Sequence, residues 1–474
     1  MANVDSSMAS WRGADVPRRR FLKAGAAAVG AAVTWSRARR TLAHPRTQAG
    51  PIRFGPNVAA IPFPPNVEPF VDAPHGEPHL LVAPDGKIFV SSHFQPYDSR
   101  TGQPSQTGAS ANVWVSTDGG RSFRISGGLV GQAGNDVHLV RTPSGVVLMV
   151  TMTNVGLGTG VGGASVTRST DGGRTWQTLT AVNKTILCDR PFLLVNRDDD
   201  VLLTYTGPPG DMWAVRSADQ GATWGLPERL TVLPPQLGIC LSAGPAVNRA
   251  RGELVVPFAS SSSPDWAARR NEDGYFNRIG IARSGGETPL SGWREEAVIE
   301  TPLGQGAATL FAVACDDRGR EAIAYSARDA AGNQGVWLLR SDRPGQWSSP
   351  RRIDPAGTTG HLPFVVARGD GGLAVAYLSS AFADARETAR PWTVKVAVSR
   401  DFGATFTHVP VSDHVVYAGS LLEGRRVFWD LIGLALDREG YMHVAWGDQG
   451  DVQPNNYRTS IVYARQVSGP PLGG

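Results

Sequence analysis

Ser116-Thr-Asp118-Gly-Gly120-Arg-Ser122-Phe123 is the first of four segments that share one pattern in this chain of 474 residues. In each copy Ser-x-Asp is followed by one residue, then Gly, one further residue, Ser or Thr, and an aromatic residue. The pattern recurs from Ser169 to Trp176, from Ser217 to Trp224 and from Ser399 to Phe406. A short alternating run precedes each copy, and a strand-like stretch follows it. Because Asp accepts backbone hydrogen bonds within turns and Gly tolerates positive φ, each copy predicts a turn between two β-strands.

A second motif alternates with these turns and allows the repeating units to be counted. It consists of an apolar run, a turn that contains Gly or Asp, and a second run that ends in an aromatic or small residue. Seven copies are found: Pro78 to Val90, Val137 to Val150, Pro191 to Tyr205, Pro245 to Phe258, Leu310 to Tyr325, Pro363 to Tyr377 and Leu431 to Trp446. Each unit predicts two inner strands followed by a hairpin. The hairpin turn has decayed in the fourth and fifth units.

The four turns are identified as Asp-boxes, and through them the chain after residue 70 resembles the sialidase superfamily of Asp-box (BNR) repeat β-propellers. The resemblance implies an all-β propeller of four-stranded blades, with the boxes in a structural role on the bottom face, opposite the active site. The box aspartates are Asp118, Asp171, Asp219 and Asp401. Seven units favour seven blades, and the six blades of characterised sialidases are the alternative. A calcium loop is a competing interpretation, but one carboxylate per turn is too few for six or more oxygen ligands.

The seventh unit contains one outer strand, Ile461 to Ala464, so its last strand must come from elsewhere. The segment around Ile52 to Ile61 could supply it and remove an open sheet edge. We therefore predict a leader over residues 1–43, an N-terminal segment over 44–70 that closes the last blade, and one propeller over 71–474. We expect a monomer.

The leader carries Arg18-Arg-Arg20-Phe-Leu22-Lys23, then an apolar run from Ala24 to Trp35, then Thr41-Leu-Ala43. This resembles a twin-arginine signal peptide, although Pro17 stands where Ser or Thr is usual. Twelve apolar residues are too few to span about 30 Å of hydrocarbon, so no permanent membrane anchor is expected. The resemblance implies export to the periplasm, the cell surface or the medium.

The net charge of +4 belongs to the leader. Residues 1–43 hold eight basic and two acidic side chains, which leaves 38 basic and 40 acidic side chains in the rest. The remaining chain is nearly neutral, so nucleic acid is not expected as a partner.

The chain has three cysteines, Cys188, Cys240 and Cys315. The first two occupy related positions in adjacent repeats and could pair after export. Three buried free thiols are the default expectation, and this pair is the alternative.

Residues just before each first strand converge on the channel mouth of a propeller. The polar members of this set are Glu77, His79, Asn135, Asp136, His138, Asp189, Arg190, His361, Trp429 and Asp430. We predict that Asp136, Asp189, Glu77 and Arg190 are catalytic, and that the histidines, Trp429 and Asp430 bind substrate. A polar lining satisfied by water is the alternative. A divalent metal is possible there, but no tight spacing such as His-Glu-x-x-His occurs, so no cofactor is predicted.

Sialidases bind the substrate carboxylate with three arginines, the first in an Arg-Ile-Pro motif of the first blade. The corresponding stretch here is Gly76-Glu77-Pro78, which has no arginine. A carboxylate at this point would repel an anionic sugar, so the catalytic residues of the family are not transferred to this chain.

Long loops between the second and third strands suit carbohydrate. The loop from Ser260 to Phe276 contains Trp266 and Tyr275, which we predict to bind substrate, and the loop from Ala381 to Trp392 carries paired charges and a Trp. Aromatic rings stack on the apolar faces of sugars while polar groups bind hydroxyls. Solvated loops with incidental aromatics are the alternative.

Two functions fit these features. One is an exported glycoside hydrolase related to sialidases, acting on a non-standard glycan. The other is a non-catalytic propeller that binds a glycan or a protein at the same face. The missing arginine motif favours the second function or an altered substrate, and the fold alone does not choose.

Overall fold

The computed structural model describes residues 50–62, 70–71, 75–94, 97–98, 110–126, 135–154, 162–185, 188–208, 210–231, 241–263, 276–286, 292–306, 311–381, 391–418, 431–450 and 459–473. These residues form a propeller of seven four-stranded antiparallel blades, which confirms the predicted fold class and blade number. The described ranges contain no helix, and accordingly none that is long and apolar enough to cross a membrane. The predicted leader lies outside them.

The first three blades follow the predicted units. Blade 1 contains β4 (His75–Val82), β5 (Ile88–Phe94), β7 (Ser110–Ser116) and β8 (Arg124–Ile125). Blade 2 contains β9 (Asn135–Arg141), β10 (Val147–Asn154), β11 (Gly162–Ser169) and β12 (Gln177–Thr185). Blade 3 contains β13 (Asp189–Val195), β14 (Val201–Gly207), β15 (Asp211–Ser217) and β16 (Glu228–Arg229). A separate two-stranded sheet pairs β3 (Phe70–Val71) with β6 (Tyr97–Asp98).

The inner strand of blade 4 is split. This blade contains β17 (Leu241–Ser242), β18 (Ala246–Asn248), β19 (Glu253–Ser260), β20 (Arg278–Arg283) and β21 (Arg294–Glu300). Blade 5 contains β22 (Ala312–Cys315), β23 (Glu321–Arg328), β24 (Gln334–Ser341) and β25 (Arg351–Arg352). Blade 6 contains β26 (Thr359–Arg368), β27 (Gly372–Ser380), β28 (Pro391–Ser399) and β29 (Thr407–Pro410), and β30 (Tyr417–Ala418) also pairs with β28.

Blade 7 is built from both ends of the chain. It contains β31 (Gly433–Leu436), β32 (Met442–Asp448) and β33 (Ser460–Ser468), and its outer edge is made by β1 (Arg53–Phe54) and β2 (Val58–Ile61). Both short strands pair antiparallel with β33. Ile61 is fully buried and packs with Leu80 of blade 1 and Tyr463 of blade 7. The N-terminal segment therefore joins the last blade to the first.

The four Ser-x-Asp turns connect the third and fourth strands of blades 1, 2, 3 and 6. In blade 1, Asp118 Oδ1 accepts hydrogen bonds from the backbone N–H of Arg121 at 3.0 Å and from that of Ser122 at 3.1 Å. Its Oδ2 accepts from the Ser122 hydroxyl at 2.6 Å. The other three turns repeat the two bonds from the residue four positions after the Asp, since the backbone N–H and the hydroxyl of a Thr both donate to the carboxylate. The Ser two positions before also donates to the carboxylate of each of these aspartates: Asp171, Asp219 and Asp401.

Strand order places these turns on the same face as the hairpins between first and second strands. A direct contact shows this, since Lys87 of the first hairpin donates to the Gly172 carbonyl of the next turn at 3.4 Å. The starts of the first strands therefore lie on the opposite face, where the predicted catalytic residues meet.

Blades 4 and 5 lack the Ser-x-Asp turn, and buried charges connect them instead. Arg283 is 2% exposed and donates to both oxygens of Glu321, at 2.7 and 2.8 Å. Glu296 accepts from Arg283 at 3.1 Å and from Trp347 Nε1 at 2.5 Å. Removal of one partner from such a buried pair leaves an uncompensated charge, so truncation of either partner destabilises the junction of the two blades.

The described residues include two cysteines, Cys188 and Cys315, and neither forms a disulfide bond within the described part of the chain. Cys240 lies outside the described ranges, so its pairing with Cys188, the alternative to three free thiols, is not tested.

Substitution of Ile61 by Ala tests the contribution of the N-terminal strand to the ring. We expect a loss of about 2–5 kcal/mol in the free energy of unfolding, because a fully buried Ile is truncated at the contact between blades 7 and 1. Urea unfolding of the variant and of wild type measures this loss in the free energy of unfolding. The control is Pro51→Ala, at an exposed position of the same segment, and equal stability of the two variants would contradict the pairing as a source of stability.

The turn aspartates predict how stability depends on pH. The hydroxyl of Thr405 lowers the pKa of Asp401 to about 2, with further hydrogen bonds adding to this effect. Because the folded pKa lies below the unfolded value of about 3.9, the stabilisation is complete above that value and is lost as pH falls towards 2. Asp401→Asn should therefore be less stable than wild type at pH 6, and the difference should shrink between pH 4 and pH 2. If urea unfolding gives the same stability difference between Asp401→Asn and wild type at every pH, the ionised carboxylate of Asp401 is not the source of that difference.

Candidate active site

Four first strands carry a bulge at the same position, near their start. The register of each strand against its neighbour shifts there, and one non-glycine residue adopts a left-handed backbone. The residues and their φ values are Glu77 (50°), Asp136 (48°), Arg190 (50°) and Leu362 (49°). Each such backbone costs about 1–2 kcal/mol, and bulges of this kind re-aim side chains next to active sites. The strain therefore marks this ring of positions as a candidate site.

Three of these bulge residues are charged, and they line one cleft. Glu77, Asp136 and Arg190 face this cleft together with Phe192 and Leu431. The backbone N–H of Arg190 donates to Asp136 Oδ2 at 3.1 Å, so the bulge of blade 3 orients the carboxylate of blade 2. The structure thus brings together three of the four residues predicted as catalytic. The fourth, Asp189, precedes Arg190 in β13 and is close enough to influence the charge of Asp136.

His93 joins this cleft from the end of β5, and the sequence analysis missed it. It is fully buried, it lies opposite Gly76 in the strand register, and its Nδ1 is 3.5 Å from Glu77 Oε2. One donor atom from each of Glu77, His93 and Asp136 lies within 4.8 Å of the others, a spacing that allows one ion to contact all three. The signal in the sequence is the polar end, Ser91-Ser-His93, of an otherwise apolar strand.

The carboxyl groups in the cleft are crowded. Burial raises the pKa of Asp136 well above its usual range, and the negative charges of Glu77 and Asp189 raise it further. The positive charges of His93 and Arg190 act in the opposite direction. Two carboxylates this close in a buried cleft are not both ionised without a balancing cation. The cleft therefore holds either a proton or a cation at this point.

An aromatic layer lies below the charged bulge residues. It is formed by the residues two positions after each bulge: His79, His138, Phe192 and Phe364. Neighbouring ring centroids in this aromatic layer are 3.9 Å apart for His79 and His138, 5.1 Å for His138 and Phe192, and 6.4 Å for His79 and Phe364.

The two histidines of the aromatic layer also connect blades. His79 Nδ1 accepts from the backbone N–H of Leu139 at 3.1 Å, and His138 Nδ1 accepts from that of Leu193 at 3.2 Å. Burial lowers the pKa of His79 to about 3, and burial together with His79 lowers that of His138 well below its usual range. Both rings are therefore neutral and bonded to the next blade. Their predicted role in substrate binding stays a prediction.

The remaining predicted residues lie apart from the cluster or outside the described ranges. His361 precedes the bulge of blade 6 and is hydrogen-bonded through Nδ1 to Gln334. Trp429, Asp430, Trp266 and Tyr275 all fall outside the described residues. Arg190 is the one guanidinium among the described residues that line the cleft.

Comparisons with known proteins report a likeness of fold. No family model matches the chain, and no curated protein matches it. Among solved structures, the alpha-L-arabinanase of Penicillium chrysogenum in complex with arabinobiose is 14% identical, with 86% of this chain and 98% of that chain covered and a TM-score of 0.47. A polysaccharide lyase, an ulvan lyase of family PL25, is 13% identical, with 85% and 96% covered and a TM-score of 0.49. The intramolecular trans-sialidase of Ruminococcus gnavus is 12% identical, with 83% and 94% covered and a TM-score of 0.42.

The aromatic layer predicts the protonation state of His79. Its pKa of about 3 lies below the unfolded value near 6.5, so the folded chain does not take up this proton between pH 6.5 and pH 4 and becomes less stable as pH falls through that range. Nitrogen NMR of labelled histidine should show His79 as a neutral ring protonated at Nε2 at pH 5. Titration of this ring near pH 6.5 would contradict the assignment.

Proposed function

We propose that the chain is an exported carbohydrate-active enzyme that cleaves a glycosidic linkage at the mouth of the propeller channel. One observation carries the proposal: carboxyl groups from Glu77 and Asp136 meet the Arg190 guanidinium in one cleft, on strained bulges of three successive blades. Glycoside cleavage uses paired carboxyl groups, one to donate a proton to the leaving oxygen and one to act as base or nucleophile. The leader that resembles a twin-arginine signal supports a location outside the cytoplasm.

The cleft supplies more than one carboxyl group for proton transfer. Asp136 and Asp189 are both half-buried, but Asp136 lines the cleft and accepts the backbone N–H of Arg190 at 3.1 Å, whereas Asp189 lies at the start of β13 outside this lining. Their environments differ, and pairs of carboxyl groups in different environments can take the acid and the base roles separately. Arg190 can hold a substrate oxygen in place, because a guanidinium donates several hydrogen bonds in a fixed plane.

The charge of the cleft favours a neutral glycan. A substrate carboxylate would meet Glu77 next to the position where sialidases have their first arginine, and like charges in a buried site repel strongly. One guanidinium does not replace a clamp of three. The proposed substrate is therefore a glycan whose cleaved unit carries no carboxylate.

A non-catalytic binding propeller is the second candidate. The absence of an arginine at Gly76 favours it, because the catalytic set of the resembled family is incomplete. The two candidates differ in product formation, since a binding module retains glycans without releasing sugars.

Substitution of Asp136 or Asp189 by Asn tests the proposed activity. Against a panel of neutral polysaccharides, wild type should release reducing ends, and each variant should lose at least about 100-fold in rate with an unchanged melting temperature, as expected when a proton-transfer group is removed. Asp401→Asn, on the opposite face, is the control and should lower stability without affecting turnover. Full activity of both channel variants would refute the site, and binding without any release would establish the second candidate.

A further inference from the structure

Metal-ligating atoms of two chemical types meet at one point of the cleft. They are an imidazole nitrogen of His93 and carboxylate oxygens of Glu77 and Asp136. The imidazole comes from β5, one carboxylate comes from β4 beside it, and the other comes from β9 of the next blade. His93 and Glu77 are 0% and 5% exposed, so water does not surround their donor atoms. Each residue offers one donor, and all three donors lie within 4.8 Å of one another.

The spacing fits a shared ion better than a direct hydrogen bond. His93 Nδ1 and Glu77 Oε2 are 3.5 Å apart, which is longer than the usual 2.9–3.0 Å of an N–H···O bond. Ligands of a tetrahedral ion with bonds of about 2.1 Å are roughly 3.4 Å apart. The observed separation is therefore close to one edge of such a coordination shell.

The charges in the cleft also call for a cation. Three carboxylates, those of Glu77, Asp136 and Asp189, are close enough to interact, and Arg190 supplies one positive charge. When a bound ion displaces the proton of His93, the imidazole is neutral and two negative charges of the carboxylates remain in excess. One divalent ion cancels this excess.

We propose that Glu77, His93 and Asp136 bind a divalent transition-metal ion, with Zn²⁺ as the best match. Mixed imidazole and carboxylate ligands suit zinc, whereas calcium and magnesium prefer six or more oxygen ligands. Three protein ligands leave a fourth position for water or a substrate oxygen, the arrangement of catalytic zinc sites.

Backbone contacts orient the proposed ligands, as hydrogen bonds from surrounding groups do in other metal sites. The N–H of Arg190 occupies Asp136 Oδ2 at 3.1 Å, which leaves Oδ1 for the ion. Left-handed bulges fix Glu77 and Asp136 before any ligand arrives. The role of the ion in glycan cleavage rests on the proposed function: with Glu77 and Asp136 holding the ion, Asp189 carries the proton transfer, and Asp136→Asn then lowers turnover through loss of the ion.

Metal binding is measured without reference to activity. The purified full chain, freed of any affinity tag, is stripped with a chelator, incubated with Zn²⁺ and separated from unbound ion. We expect about one zinc per chain by elemental analysis, and visible absorption bands of a tetrahedral centre when Co²⁺ replaces it. We expect Zn²⁺ to raise the melting temperature of the stripped protein, because an ion that binds the folded state alone stabilises it.

Variants identify the ligands. Glu77→Gln and His93→Gln should each weaken zinc affinity roughly 100-fold or more and abolish the cobalt bands. His414→Gln is the matched control, because His414 also contacts two carboxylates, Asp413 at 2.7 Å and Asp448 at 3.0 Å, but at hydrogen-bond distances. This control and Asp189→Asn should both keep the ion. If His93→Gln fails to fold, Glu77→Gln alone decides.

The results separate the two proposals. Absence of stoichiometric zinc in wild type, or full binding by Glu77→Gln, overturns the metal site. Glycan cleavage by the stripped protein also overturns the catalytic role of the ion and leaves the proposed activity intact. Zinc binding without cleavage of any glycan leaves the metal site intact and refutes the proposed activity.

Discussion

Closure of the ring is the constraint on which the rest of this structure depends. Each blade covers the apolar face of the next, so an open ring would leave two faces and two sheet edges exposed. The strand that closes it, β2, comes from the other end of the chain. Its Ile61 packs in the same cluster as Leu80 of β4 and Ile88 of β5. Because β4 carries Glu77 and β5 carries His93, the closing contact supports the two strands that bring half of the candidate site to the channel mouth.

The bulges turn this regular scaffold into a site. In an uninterrupted strand, alternate side chains would enter the blade interfaces, and carboxylates would be buried among apolar residues at high cost. The register shift places Glu77, Asp136 and Arg190 into the cleft and returns the strand to apolar packing two residues later, at the aromatic layer. Pro78 and Pro191 follow two of these bulges, where the absence of an N–H suits a position that has left the ladder. Neutral rings thus lie beneath charged groups along one axis.

Sequence reasoning predicted the repeats well and the site in part. The Ser-x-Asp turns and alternating runs are local, so the seven blades followed from counting them. Convergence of Glu77, Asp136 and Arg190 followed from propeller topology. The histidines were harder, because His79 and His138 lie next to the charged residues in sequence, yet the bulge places their rings in the layer below. His93 was missed because its contact with Glu77 depends on the register of β5 against β4, in which His93 lies opposite Gly76. No local sequence pattern shows this register.

The excess of carboxylates bears on the substrate as well as on the ion. A proton on Asp136 reduces the negative charge of the cleft, and a divalent ion cancels it beside a neutral His93. Neither state makes the cleft positive, because Arg190 is the one guanidinium among the described residues that line the cleft, and the carboxyl groups of Glu77 and Asp136 line it too. Sialidase-type binding needs a surplus of positive charge to compensate for the desolvation of a sugar carboxylate. Under the proposed function, a cleft brought only to neutrality favours hydroxyl-rich, uncharged sugars, whether the balancing species is a proton or a metal ion.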